Sequence, residues 1–236
     1  MPSILHLALA IAVTLTPVRS APTPEPASSI AAGTPLTTYK CFTGTSFPTT
    51  YLPFDQLLSI NKPFISQRNS DATVENIISA IKSVAVSSSV RTELILAQIM
   101  QESGGDLSRV GDSGKSLGLM QAQITAEAPV RCDPGQCTMD DIQGMLQQSV
   151  SGHTGAGAPV SPGIAFDLES YGTGAALRVY NTGHLPDPNN FQTATTCSTS
   201  SYVSDVANRL LGLSPDVFPS PQDLQSLCGF VPATIC

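Results

Sequence analysis

The chain has 236 residues, a formal net charge of −7 and only 12% charged residues. An acidic chain has no attractive field for nucleic acid or for anionic membranes, so neither is expected as a partner. No phosphate-binding glycine loop, metal-ligand cluster or dinucleotide fingerprint is visible, so neither a metal nor a cofactor is expected.

Ile4 to Leu15 is a nearly continuous apolar run, long enough for a signal-peptide core and too short to span a bilayer. Val18-Arg19-Ser20 then supplies residues suited to a cleavage site before Ala21. The expectation is a signal peptide over residues 1–20 and a secreted, extracellular protein. Losing Arg19 with that peptide takes the net charge from −7 to −8. Residues 21–38 are rich in Pro, Ala, Ser and Thr and read as a flexible segment, with too little apolar surface to offset ordering entropy. Residues 39–236 are long enough for one globular, monomeric domain with its own core.

Within that domain, Tyr39–Tyr51 is a Thr-rich, β-like run interrupted by Pro48. Val74, Ile77, Ile78, Ile81 and Val84 recur at helical spacing, with Asn69, Ser70 or Asp71 available as N-cap. Leu94, Ile95, Leu96, Ile99 and Met100 predict a more buried helix, begun near Ser88 or Ser89 and stopped by Gly104-Gly105. A short helix is read over Ser116–Glu127. Another starts at Thr138 with Asp141 as capping-box partner, and its stripe is Met139, Ile142, Met145, Leu146 and Val150. Two more cover Ser170–Tyr180 and Tyr202–Leu211. Ser214–Cys236 is Pro-rich and reads as a tail wrapped on the surface. The fold class is therefore mainly α.

Cys41, Cys132, Cys137, Cys197, Cys228 and Cys236 all follow the signal peptide. An even number in a secreted chain predicts disulfides, and their spacing does not choose among the pairings. Cys132 and Cys137 bracket the turn-forming Asp-Pro-Gly-Gln, which makes them the best-guess pair.

Glu102 is the candidate for chemistry. It lies three residues after Ile99 and seven after Ile95, so it shares their helical stripe. Burial there raises a carboxyl pKa, and the negative end of the helix dipole pushes the same way. A neutral carboxylic acid facing a cleft is what protonation of a glycosidic oxygen requires.

Three elements follow in order: Gln101-Glu102-Ser103-Gly104-Gly105, Ser116-Leu117-Gly118-Leu119-Met120-Gln121, and Ala176-Leu177-Arg178-Val179-Tyr180-Asn181-Thr182-Gly183. Together they resemble the lytic transglycosylases related to goose-type lysozymes. With the late Tyr202-Val203-Ser204-Asp205-Val206-Ala207-Asn208-Arg209-Leu210, the pattern is closest to secreted fungal lysozyme-like proteins. The resemblance spans about residues 70–213. It implies a lysozyme-like domain, α+β at most, acting on a polymeric aminosugar glycan such as peptidoglycan or chitin. It implies Glu102 as catalytic acid and base. It also implies substrate contacts from Ser103, Ser116, Gly118, Leu119, Met120, Gln121, Tyr180 and Asn181, with Tyr180 orienting Glu102. Where bacterial members carry an Asp-Pro…Asn-Ile…Gly element, this chain has Asp140-Asp141-Ile142-Gln143.

A second carboxylate is not fixed by spacing. Asp106, Asp112, Glu127, Asp140 and Asp141 are candidates, and Asp112 is the best placed, on the loop between Glu102 and the Gly-Leu-Met-Gln element. With no such partner, Glu102 alone would take a proton from the sugar's 6-hydroxyl, closing an anhydro ring. His153 and His184 have no nucleophile beside them in the sequence. Two rivals remain: a non-catalytic glycan-binding or effector protein on the same scaffold, and a chitin-active glycosidase.

Overall fold

The computed structural model describes residues 33–124, 132, 135–152, 162–195 and 198–231. The expected signal peptide, most of the 21–38 segment, Glu127, His153, Cys197 and Cys236 lie outside them. The described residues form a mainly α domain of eight helices with a small three-stranded sheet. The helices are α1 (Phe54–Ser66), α2 (Asp71–Ser88), α3 (Thr92–Glu102), α4 (Met139–Ser151), α5 (Gly163–Tyr171), α6 (Thr173–Thr182), α7 (Tyr202–Leu210) and α8 (Pro221–Cys228). The strands are β1 (Val110–Gly111), β2 (Ser116–Leu117) and β3 (Ala122–Gln123).

α3 is the axis of the fold. Ile95, Leu96 and Ile99 have no exposed surface, because α1, α2 and α7 all pack against this helix. α2 buries Val74, Ile77, Ile81 and Val84, and starts where the Ser70 hydroxyl accepts the Thr73 amide. α4 opens on the expected capping box of Thr138 and Asp141 and buries Ile142, Met145, Leu146 and Val150. The Cys132–Cys137 disulfide forms just before that cap, and Cys41–Cys228 ties the segment ahead of α1 to the end of α8.

Several elements depart from the sequence reading. Of the helix expected over Ser116–Glu127, the described part is instead two strands of an antiparallel sheet in the order β1-β2-β3, with Gly111 opposite Ser116 and Leu117 opposite Ala122, and residues 125–127 lie outside the described residues. Gly118 at φ +81° and Gln121 at φ +50° take left-handed conformations that no α-helix tolerates. The helix expected over Ser170–Tyr180 is two helices, broken at Gly172 with φ +75° and ψ 166°. Tyr39–Tyr51 forms no strand. It runs over α7, where the Ser204 hydroxyl accepts the Phe42 amide and the Asn208 side chain both donates to and accepts from the Lys40 backbone. Side chains of a helix, rather than a neighbouring strand, satisfy that backbone. Finally, α1 contains Pro63 and α8 begins at Pro221, so proline hides both from a periodicity reading. Residues 33–38, at the end of the segment read as flexible, also lie along α7's end, with the Leu36 amide donating to the Leu211 carbonyl.

Gly118 is held by close packing. A Cβ on Gly118 would stand 2.4 Å from the Met145 sulfur, at a φ unfavourable to side chains. Gly118→Ala should cost about 2–3 kcal/mol, from strain and overpacking together. Gly135, at φ +83° with no atom within 4 Å of its would-be Cβ, is the control and should lose only about 1 kcal/mol. Equal losses in urea unfolding would remove the packing term.

Candidate active site

Glu102 is the last residue of α3 and is partly buried. Its Oε1 accepts a hydrogen bond from the Tyr202 hydroxyl, delivered by the facing helix α7. Loss of solvation pushes the Glu102 carboxyl up to about 7. The Tyr202 hydroxyl and the Arg209 charge pull against that rise, and the charge of Asp112 adds to it. The loss of solvation thus favours the protonated acid over the carboxylate.

Asp112 is exposed in the turn between β1 and β2, where it and Ser113 adopt left-handed φ values of 49° and 56°. Its charge lies within electrostatic reach of Glu102 and disfavours the Glu102 carboxylate.

The polar side chains among the remaining sequence-predicted residues bond within the chain itself. The Ser103 hydroxyl donates to the Leu119 carbonyl at 2.9 Å, tying the end of α3 to the Gly-Leu-Met-Gln turn. From the other side, the Tyr180 hydroxyl on α6 donates to the Met120 carbonyl at 2.7 Å. Leu119 and Met120 have no exposed surface, so their side chains belong to the core and only their backbone belongs to the site. Gln121 is spent within the sheet. Its Nε2 donates to the carbonyls of Arg109 and Gly118, both at 2.9 Å, and its Oε1 accepts from Ser116 at 3.1 Å. Ser116 is itself 1% exposed. Asn181 accepts a hydrogen bond from Arg178 at 2.8 Å. Arg178, fully buried, also donates to the carbonyls of Phe191, Thr199 and Ser200. The resemblance implies that Tyr180 orients Glu102, but here Tyr202 makes that hydrogen bond and Tyr180 braces the turn.

Comparison with known proteins yields no match: no family model, no curated protein and no solved structure. The functional reading rests on the residues themselves.

Sequence reasoning missed the groups that support Glu102 from α7. Tyr202, Asp205 and Arg209 stand in the late helix motif without an assigned role. In the structure, Asp205 accepts hydrogen bonds from Tyr39 at 2.7 Å, Ser201 at 2.8 Å and Gln101 at 3.3 Å. Burial raises its carboxyl, and these donors and Arg209 pull it back. Arg209 donates through Nε to Gln101 Oε1 at 2.9 Å and lies over the Phe218 ring. Gln101 thus bridges Asp205 and Arg209 immediately before Glu102 in the chain. The available signal was spacing: residues 202, 205 and 209 fall on one face of a helix. Among the described residues, no group of three or more His, Cys, Asp or Glu side chains could hold a metal ion, and no helix is long and apolar enough to cross a membrane.

Proposed function

We propose that this protein is a secreted, lysozyme-like enzyme that cleaves β-1,4 linkages of an aminosugar glycan, peptidoglycan above all, as a monomer with no cofactor. The observation that carries the reading is Glu102 itself: a partly buried carboxyl, pushed up to about 7, hydrogen-bonded by Tyr202 and within electrostatic reach of Asp112. The order of the motifs around it supports the same reading.

In this mechanism neutral Glu102 gives its proton to the glycosidic oxygen as the bond to the anomeric carbon breaks. The Asp112 carboxylate, exposed to solvent, stabilises the positive charge developing on the sugar or orients a water. Glu102, now a carboxylate, takes a proton from the attacking oxygen as that oxygen bonds to the anomeric carbon, which restores the acid. If the attacker is water, the product has a reducing end. If it is the sugar's own 6-hydroxyl, the product is an anhydro sugar. The Tyr202 hydroxyl favours the carboxylate present between the two steps, so it eases departure of the first proton.

The net charge of −7 favours one rival, a non-catalytic glycan-binding or effector protein, because basic surfaces speed encounter with anionic walls. Mass spectrometry of products from purified peptidoglycan and from chitin oligomers separates the readings. The expected result is muropeptide release from peptidoglycan. Release of chitin fragments alone would move the enzyme to the other polymer, and binding without products would support the rival.

A further inference from the structure

At the end of α3 away from Glu102 lies a cavity of about 450 Å³, enclosed by the segment ahead of α1, the α5–α6 junction and Phe191. Arg91, the residue before α3, lines it, and the 11 residues of the helix, about 16 Å, separate it from Glu102. Four rings surround the space: Phe47, Tyr51, Tyr171 and Phe191. Tyr51 is buried at its floor, and Tyr171 is 51% exposed at its rim. The rings are fixed from behind. Phe47 meets Tyr51 edge to face. Gly174 lets Phe191 close onto α6, since a Cβ there would stand 2.6 Å from that ring. The Phe191 amide donates to the Gly44 carbonyl, and its own carbonyl accepts the buried Arg178.

The polar part of the lining is equally definite. Thr45, Thr49 and Thr173 contribute hydroxyls. Arg91 is the one charged residue among the described lining residues, and no carboxylate lines the space. Its guanidinium lies 4.4 Å from the centre of the Tyr51 ring. Its Nε donates to Glu93 at 3.4 Å, which offsets part of the charge. Its terminal nitrogens make no hydrogen bond to the described residues, and the side chain is 44% exposed. A cavity of this size, with aromatic walls and a few fixed polar groups, has the make-up of a small-molecule site. Aromatic faces receive the C–H face of a sugar ring, hydroxyls exchange hydrogen bonds with its hydroxyls, and a guanidinium fork matches a carboxylate. A small hydrated anion would leave the rings unused, and a neutral sugar would leave Arg91 unused.

We propose that this cavity is a second, non-catalytic glycan site that takes a carboxylate-bearing amino sugar, with the sugar ring against the aromatic walls and its carboxylate on Arg91. The choice of an amino sugar rests on the proposed function; the pairing of a carboxylate with an apolar ring face does not. The site favours peptidoglycan, whose muramic acid carries a lactyl carboxylate, over chitin, which has none.

The test is an amide NMR titration of the full-length protein with three probes: N-acetylmuramic acid, N-acetylglucosamine, which lacks the lactyl carboxylate, and acetate. The expected result is saturable movement of the Gly172, Thr173 and Gly174 signals by N-acetylmuramic acid, with N-acetylglucosamine bound there about fivefold or more weakly. Arg91→Gln should erase that difference, and Tyr171→Ala should weaken both sugars. Equal affinities for the two sugars in wild type overturn the proposal, as do movements confined to residues near Glu102 or a difference that survives Arg91→Gln. Acetate bound as well as N-acetylmuramic acid would show a simple anion site and overturn it too. If Arg91→Gln does not fold, the two sugars compared in wild type and in Tyr171→Ala decide, because Tyr171 stands at the exposed rim. Neither monosaccharide has a linkage to cleave. A protein that binds as expected and cleaves no glycan would therefore sink the enzymatic reading alone, and one that cleaves glycan without this binding would sink the second site alone.

Discussion

Glu102→Gln is expected to reduce glycan cleavage by about a thousandfold or more while leaving the fold intact. The substituted amide can still accept the Tyr202 hydroxyl, so the geometry survives while the transferable proton is lost. The same substitution should make the protein more stable above neutral pH. The folded-state pKa of Glu102 is raised from 4.5 to about 7, so the folded protein binds the proton more tightly than the unfolded chain. Its contribution to stability is therefore full below about pH 4.5 and is lost as pH rises through 7. The loss is at most about 3 kcal/mol, and solvent at this partly buried site reduces it to about 1–3 kcal/mol. Glu102→Gln removes the titration, so its unfolding free energy should exceed that of wild type at pH 8 and approach it at pH 4. Turbidity clearing of cell walls reads the first effect, and urea unfolding at the two pH values reads the second. An active variant, or one with no gain at pH 8, would count against the assignment.

Loss of the Cys41–Cys228 disulfide is expected to cost about 3–5 kcal/mol. The bond closes a sequence separation of 187 residues, and the entropy that a cross-link removes from the unfolded chain grows with the loop it closes. It also fastens α8 to the extended segment that covers α7. Through that segment the Tyr39 hydroxyl reaches Asp205, and Phe218 packs against both Tyr39 and Arg209. The bond therefore sits over the outer side of the helix that carries Tyr202. Replacing both cysteines with serine should lower the unfolding midpoint in urea and reduce activity along with stability. The Cys132–Cys137 bond spans only 5 residues in sequence, so its removal should cost about 2 kcal/mol. A Cys41–Cys228 variant no less stable than its short-loop counterpart would refute the loop argument.

Helices with clean periodicity and capped ends were legible in the sequence. α2 and α4 fall where apolar spacing and N-cap residues put them, and α7 where spacing alone puts it, because burial on one face and a satisfied first turn are both local properties. α3 instead starts at Thr92 with no side-chain cap, because Ser88 and Ser89, where its start was expected, form the end of α2. The Glu102 position was legible from the same one-sided burial. The sheet was not, since two-residue strands carry no period, and two left-handed residues at Gly118 and Gln121 decide it. The partner of Glu102 was not legible either. Tyr202 lies 100 residues away, and only the packing of α7 against α3 brings its hydroxyl to the carboxyl. The polar residues of the Gly-Leu-Met-Gln region read from sequence as ligand contacts because polarity alone does not show whether the partner is a sugar or the chain's own backbone. Here Ser103, Gln121 and Tyr180 all bond to backbone carbonyls of the hairpin and its turn.

The most direct measurement is the titration of the Glu102 carboxyl in the wild-type protein, followed by the chemical shift of its side-chain carbon from pH 3 to 9. A midpoint near 7 is what a proton donor held between Tyr202 and the Asp112 hairpin should give. A midpoint at the ordinary value of about 4.5 would leave Glu102 a charged surface group and contradict its role as the acid.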